Sequence, residues 1–232
     1  MNKHLMAAVA AVGMVAGASA AQASTVTIVF QNPGADTPVA GNFTTGGQCN
    51  AINISGADLC TVDDSTGFDY AKSGVNLNVV ALNAGGFTSL VQDLAPTNSG
   101  LAVLTTGEGS SDDQVQLSSA EELEFDFNVP VFLEAIDFNA GADRDCSNPG
   151  SEGPCGTFDL FIDGSLEGSF AAMDDMPFAS LSGTVFRIVA TGPLDGGFTV
   201  GSITVSQVPV PGAGLLLLSG LGGLGLTRRR KA

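Results

Sequence analysis

The sequence of 232 residues predicts an all-β fold, a two-sheet jelly-roll-like β-sandwich, flanked by two termini of different character. Glycine and proline, which disfavour helices, occur 31 and 10 times. Short apolar runs alternate with polar residues at every second position, and no segment carries a long apolar stripe of 3.6-residue period. About eight to ten strands in roughly 180 residues suit a sandwich that buries one core.

Four clear strand signals lie between residues 25 and 138 of the predicted body. Residues 25–30 are rich in β-branched side chains, and residues 75–79 alternate between apolar and polar. Residues 131–138 are apolar on both faces, as is typical of a central strand. Residues 122–127 alternate most regularly, which predicts that three side chains face the core (Leu123, Phe125, Phe127) and three face water (Glu122, Glu124, Asp126).

The second half predicts a hairpin and two further strands. Residues 158–162 lead into Asp163-Gly164, a favoured two-residue turn, and residues 166–170 return. Strands are also expected near residues 184–190 and 198–205. In the last of these the apolar positions change from even to odd at Gly201, which predicts a β-bulge there.

The N-terminus, residues 1–23, has the pattern of a secretory signal peptide. Lys3 and His4 supply a positive start, residues 5–15 are apolar, and residues 21–23 (Ala-Gln-Ala) form a small-x-small cleavage site. Residues 18–20 (Ala-Ser-Ala) offer a competing site. The alternative is an uncleaved anchor, but about eleven apolar residues fall short of the roughly 20 that span a bilayer. Cleavage would remove His4, the only histidine.

The C-terminus predicts a membrane-spanning segment. Residues 208–226 carry no charge, and about 19 residues at 1.5 Å each give roughly 28 Å of helix, enough for the hydrocarbon layer. A stop cluster follows that the positive-inside tendency keeps in the cytoplasm: Arg228, Arg229, Arg230 and Lys231. A buried core helix is the alternative. We therefore expect a body at residues 24–206 and a tail at residues 207–232.

This tail resembles the PEP-CTERM sorting signal of bacterial envelope proteins, which joins a proline motif, a short Gly/Leu-rich span and an arginine cluster. The motif here would be Val208, Pro209, Val210 and Pro211, a Val-Pro-x-Pro variant with Val210 in place of the common glutamate. The resemblance implies processing by an exosortase, a membrane-embedded transpeptidase. Residues 100–103, 112–115 and 122–127 are also similar to a segment of jelly-roll ectodomains in that family.

Charge is distributed unevenly along the chain, whose formal net charge is −16. All 24 acidic residues lie between the two termini, where the basic residues are Lys72, Arg144 and Arg187. A body this acidic repels phosphate backbones, which argues against a nucleic-acid partner.

The four cysteines form two local pairs, Cys49 with Cys60 and Cys146 with Cys155. Four cysteines allow three connectivities, and the short separations favour these two disulfides in an oxidising compartment. A four-cysteine zinc site is the alternative, although neither spacing matches the usual knuckle.

Residue types limit the chemistry. Without a mature histidine, Ser-His-Asp and Cys-His catalysis and histidine-ligated zinc are excluded within the chain, and no pattern selects a catalytic carboxylate pair. We expect no enzyme activity and no required cofactor. The oxygen-rich loops could bind calcium, a hard cation, through Glu108, Asp112, Asp113, Asp143 and Asp145, and a solvated acidic surface is the alternative.

Two classes of function follow from these features. The first is a non-catalytic exported envelope protein with a structural, adhesive or matrix role, in a biofilm or exopolysaccharide layer. The second is a carbohydrate-binding module on the same scaffold, which binds its sugar with or without calcium. Sugar-stacking platforms need exposed aromatic rings, and Trp is absent while Tyr occurs once, so the first class is favoured.

Overall fold

The computed structural model describes residues 24–31, 34–36, 38, 59–62, 66–84, 86–93, 100–104, 117, 120–140, 144–146, 155–191 and 197–208. These residues form twelve strands and no helix, which confirms the all-β prediction. The strands are β1 (Thr25–Val29), β2 (Leu59–Val62), β3 (Phe68–Lys72), β4 (Val75–Asn83), β5 (Gly86–Asp93), β6 (Gly100–Leu104), β7 (Glu121–Ala140), β8 (Arg144–Asp145), β9 (Thr157–Ile162), β10 (Ser165–Ala171), β11 (Met176–Ala190) and β12 (Phe198–Gln207).

All strands belong to one antiparallel hydrogen-bonded sheet with the order β1-β12-β6-β5-β4-β7-β11-β9-β10. Because β12 also pairs with β7, the strands β12, β6, β5, β4 and β7 close into a barrel, and the other strands extend it. Strand β2 pairs with β5, β3 with β4, and β8 with β7. The last strand thus closes the ring and also holds the first strand.

Strand β7 joins two segments that the sequence predicts as separate strands, and this corrects that prediction. Its 20 residues pair with β4 up to Phe127 and with β12 from Val131 onward. Pro130 lies in the gap between the two partners and is exposed. Its missing N–H group therefore costs no bond to β4 or β12, and the strand continues through it.

Two local predictions are confirmed in the second half of the chain. The register of β12 against β7 shifts between Val200 and Ser202, so a bulge lies at Gly201. The turn between β9 and β10 has positive φ at both central residues, 48° at Asp163 and 83° at Gly164. These angles fit the two-residue hairpin turn that Asp-Gly favours.

The core is built largely from phenylalanine. Leu123, Phe125 and Phe127 are buried as predicted, within a core that also contains Phe30, Phe68, Phe138, Phe158, Phe186 and Phe198. One outward prediction is wrong, because Glu122 is only 8 % exposed. The Arg187 guanidinium lies against Glu122 at 3.0 Å, and β7 is flanked by strands on both sides, so this carboxylate is covered rather than free in water.

A disulfide joins Cys146 and Cys155, the second of the two predicted pairs. The Cys146 amide also donates to Asp174 Oδ1 at 2.8 Å, which fixes this segment to the β10–β11 turn. Cys60 lies in β2, whereas Cys49 lies outside the described residues, so the first predicted pair stays a prediction.

The described body, Ser24–Gln207, forms one compact unit. The predicted signal peptide and the tail beyond Val208 lie outside the described residues. Among the residues that are described, no helix is long and apolar enough to cross a bilayer.

Candidate functional site

A groove lies on the outer face of β3, β4 and β7, among the described residues. Its cavity volume is about 410 Å³. Tyr70, Leu77 and Phe127 are almost fully buried beneath it. Five of the six side chains at the outward positions of the three strands are polar, although carbon atoms supply most of the exposed surface of the groove. These outward residues are Asp69, Ala71, Asn76, Asn78, Asp126 and Asn128.

Strand register places three oxygen-bearing side chains in one row. Asn78 on β4 lies opposite Asp69 on β3 and opposite Asp126 on β7. Neighbouring strands are about 4.8 Å apart, so the row spans about 10 Å across the sheet. Asn76 and Asn128 form the next row of amides along the same strands, because the Asn76 amide N–H donates to Asn128 Oδ1 at 2.9 Å.

Hydrogen bonds orient two of the groove amides. Asn78 Nδ2 donates to the Thr66 carbonyl and to Asp69 Oδ1, both at 2.8 Å, which leaves the Asn78 side-chain oxygen as an acceptor. Asn128 uses its oxygen on the Asn76 amide, which leaves its NH₂ group as a donor. The groove therefore offers fixed acceptors in one row and a fixed donor in the next.

The surface beside the groove holds Arg187, which is committed to other partners. Its guanidinium makes an ion pair with Glu122 at 3.0 Å and lies 4.7 Å from the centre of the Phe161 ring. Partial burial raises the pKa of Glu124, with Arg187 opposing and Asp126 and Glu122 adding to the rise. The groove is thus bordered by acids and is electrostatically unsuited to anionic ligands.

The described residues contain no group of three or more His, Cys, Asp or Glu side chains that could hold a metal ion. Of the predicted calcium ligands, only Asp145 is within the described range, in β8 opposite Asn139. Glu108, Asp112, Asp113 and Asp143 lie outside it, so calcium binding stays a prediction.

Of the predicted sorting motif, only Val208 lies within the described residues. It follows β12 directly and is half-buried. Pro209, Val210 and Pro211 lie outside the described residues, as do Arg228, Arg229, Arg230 and Lys231. The end of the body and the start of the motif are therefore adjacent in sequence, with no linker between them.

The groove residues are absent from the sequence-based site prediction, although a signal for some of them exists. Asn76, Asn78 and Asp126 occupy the polar positions of the two alternating runs, 75–79 and 122–127. Alternation shows that these side chains face outward, but it does not show that β4 pairs with β7. That pairing, which joins residues about 48 apart, is what creates the groove.

Comparison with protein-family models, curated proteins and solved structures gives no match for this chain.

Proposed function

We propose that this protein is a non-catalytic exported protein of the cell envelope, sorted by an exosortase-type membrane transpeptidase, with a structural or adhesive role in an extracellular matrix. The observation that carries this proposal is the tripartite tail, in which the proline motif, the uncharged span and the cationic cluster follow the last strand in order. The tail would hold the protein transiently in the inner membrane as a single helix before release to the surface or the matrix.

The position of the motif supports this role. Because β12 ends at Gln207 and the motif begins at Val208, cleavage anywhere in the motif leaves β12 intact. The strand keeps its pairing with β1, β6 and β7, so the body would survive removal of its tail. The two-sheet, jelly-roll-like arrangement predicted for the body stays part of this proposal.

The covalent chemistry of the body also supports export. Disulfides form and persist in oxidising compartments and are rare in the cytosol. The Cys146–Cys155 bond closes a short loop beside the core, and both cysteines pack against it. A periplasmic or extracellular location is the setting in which this bond is stable.

The sorting proposal is tested in the producing cell by replacing Arg228, Arg229, Arg230 and Lys231 with glutamine. We expect impaired processing and retention, because the cations that stop the tail at the cytoplasmic face are gone. A matched control replaces the three arginines with lysine and keeps the charge, and it should be processed like the wild type. Unchanged processing of the glutamine variant would contradict the proposal.

Carbohydrate binding is the second candidate function, and the groove on β3, β4 and β7 favours it. Carboxylate and amide side chains at fixed positions are the groups that hydrogen-bond sugar hydroxyls, and the surrounding acids disfavour anionic glycans. We therefore propose a neutral or amino sugar polymer as the ligand class. Calcium dependence stays part of this candidate, through the acidic loops named above.

A glycan array probed with the exported protein, with calcium and with chelator, tests this candidate. Saturable binding that is lost in Asp126→Ala and Asn78→Ala would support it. The matched control is Asp159→Ala, an outward carboxylate on β9 outside the groove, which should bind like the wild type. Binding that survives both groove variants would exclude the groove as the site.

A further inference from the structure

The N-terminal segment of the body is held by strands from distant parts of the sequence. We call the described residues 24–31 and 34–36 the arm. Its strand β1 pairs with β12 alone among the described strands, in an unbroken register from Thr25 opposite Ser206 to Val29 opposite Ser202. The first strand of the predicted mature chain is thus completed by the last.

Apolar contacts seat the arm in a groove of the body. Val26, Ile28 and Phe30 are buried, and Ile28 lies opposite Ile203 of β12. The Phe30 ring lies 5.1 Å from the Tyr70 ring and 6.3 Å from the Phe125 ring. Removing the arm would expose these partners, so the body contains a preformed receptor for it.

Polar contacts fix the far end of the arm. The buried Gln92 accepts a hydrogen bond from the Tyr70 hydroxyl at 3.0 Å. Its Nε2 donates to two arm carbonyls, Phe30 O at 3.0 Å and Asp36 O at 3.2 Å. Lys72 Nζ lies 2.6 Å from Asp36 Oδ2. Both donor contacts of this buried amide are made to the arm, so the receptor is specific in its hydrogen bonds as well as in shape.

The covalent chain allows the arm to reach beyond its own body. Residues 37–58 connect it to β2, and the predicted Cys49–Cys60 disulfide would leave residues 37–48 as the tether, about 12 residues that can span at most roughly 43 Å. During export the arm leaves the membrane first and β12 last, so the arm precedes its partner strand by most of the chain. Exchange of an identical element between copies is a low-cost route to assembly under these conditions.

We propose that the arm of one copy can occupy the β12 receptor of a second copy, so that exported copies link into chains. This inference rests on the matrix role proposed above and deepens it by naming a second copy of this chain as the partner. The arm and the receptor are different surfaces, so the contact is heterologous and does not close by itself, and it can extend into an open chain.

The balance between closed and exchanged copies depends on concentration. The contacts are the same in both forms, so the arm of a chain competes with the arms of neighbouring copies for the receptor of that chain. Covalent attachment gives its own arm an effective concentration on the order of millimolar. Closed copies therefore predominate at micromolar concentration, and exchange becomes substantial at the millimolar local density of a crowded surface.

A cysteine pair across β1 and β12 tests this proposal. The Oγ1 atoms of Thr27 and Thr204 lie 2.9 Å apart, and each residue tolerates a small side chain because both lie on the half-exposed face. Full-length chains carrying either Thr27→Cys or Thr204→Cys, with tags of different size, are coexpressed, and the exported products are concentrated and oxidised with glutathione disulfide. A covalent heterodimer forms at this position only when the arm of one chain lies on β12 of the other.

We expect the yield of the heterodimer between the Thr27→Cys and Thr204→Cys chains to exceed, by at least fivefold, the yield from a control pair in which Thr191→Cys replaces Thr204→Cys. Thr191 is exposed, and it follows the strand that is paired with β9 and β7 rather than with β1. The yield of the heterodimer between the Thr27→Cys and Thr204→Cys chains should also rise as the protein is concentrated to millimolar. A yield no higher than that of the control pair at every concentration would overturn the inference.

A chain with both Thr27→Cys and Thr204→Cys is the internal reference, because it should form the bond within one molecule at low concentration. If it does so while the mixed pair does not, the arm docks but does not exchange. The sorting proposal is measured separately, by processing of the tail variants, so either proposal can fail alone.

Discussion

Replacing Ile28 with alanine tests whether the arm belongs to the cooperative core. Ile28 is fully buried in β1 opposite Ile203, and the substitution removes three carbon atoms from that contact. At about 0.8 kcal/mol for each buried methylene, plus the cavity left behind, the free energy of unfolding should fall by about 3–4 kcal/mol. For a body of this size the Tm should fall by roughly 6–16 °C.

Urea denaturation, monitored by circular dichroism, measures this loss. The slope of the free energy of unfolding against urea concentration should stay unchanged. The control is Thr27→Ala, which removes a half-exposed hydroxyl and its bond to Thr204 and should cost about 1 kcal/mol. A loss below about 1 kcal/mol for Ile28→Ala would refute the reasoning, because it would mean that the arm is not docked in the receptor that β12 provides.

Three further substitutions probe the body. Replacing Cys146 and Cys155 together by serine should lower the free energy of unfolding in urea by about 2–3 kcal/mol, as expected for a loop of about ten residues, and an unchanged value would refute it. The folded-state pKa of Glu124 is raised, so its stabilising protonated form is lost as pH rises through that pKa. Glu124→Gln should therefore stabilise the body at pH 7 and have no effect below about pH 4, and urea titrations showing equal effects at both pH values would contradict this. Gly100→Ala places a Cβ 2.3 Å from the Val200 carbonyl oxygen, at a φ of 141°, and should lower the Tm, whereas Gly86→Ala, whose nearest atom is 3.7 Å away, should not.

The strands that the sequence predicts best are those with regular alternation or a defined turn. Residues 122–127 and the Asp163-Gly164 hairpin are located correctly, since side-chain period and turn chemistry are local properties. The length of β7 is not predicted, because Pro130 normally ends a strand. Only the change of partner from β4 to β12, a long-range property, removes the cost of that proline.

The environment of Glu122 illustrates the same limit for charged groups. Alternation correctly assigns its side chain to the outer face of β7, but the prediction that it faces water is wrong. Its cover is Arg187, which lies 65 residues further along the chain and also stacks on Phe161. Which of the few cations in an acidic body covers which acid depends on strand pairing, and the sequence does not state it.

The candidate groove could be predicted only in part. Asn76, Asn78 and Asp126 are recognisable as outward side chains of alternating strands. Asp69 becomes part of the site through the pairing of β3 with β4, and the row is completed only when β4 meets β7. The terminal segments behave differently, because hydropathy and charge along a short stretch are sufficient to predict export and membrane insertion.

The mass of the intact exported product shows whether the protein is exported and trimmed at both ends. We expect a secreted or surface-associated protein that begins at Ser24 and ends near Val208 to Pro211, so that both terminal segments are absent. A cytosolic product with the full mass of 23.3 kDa would contradict this expectation.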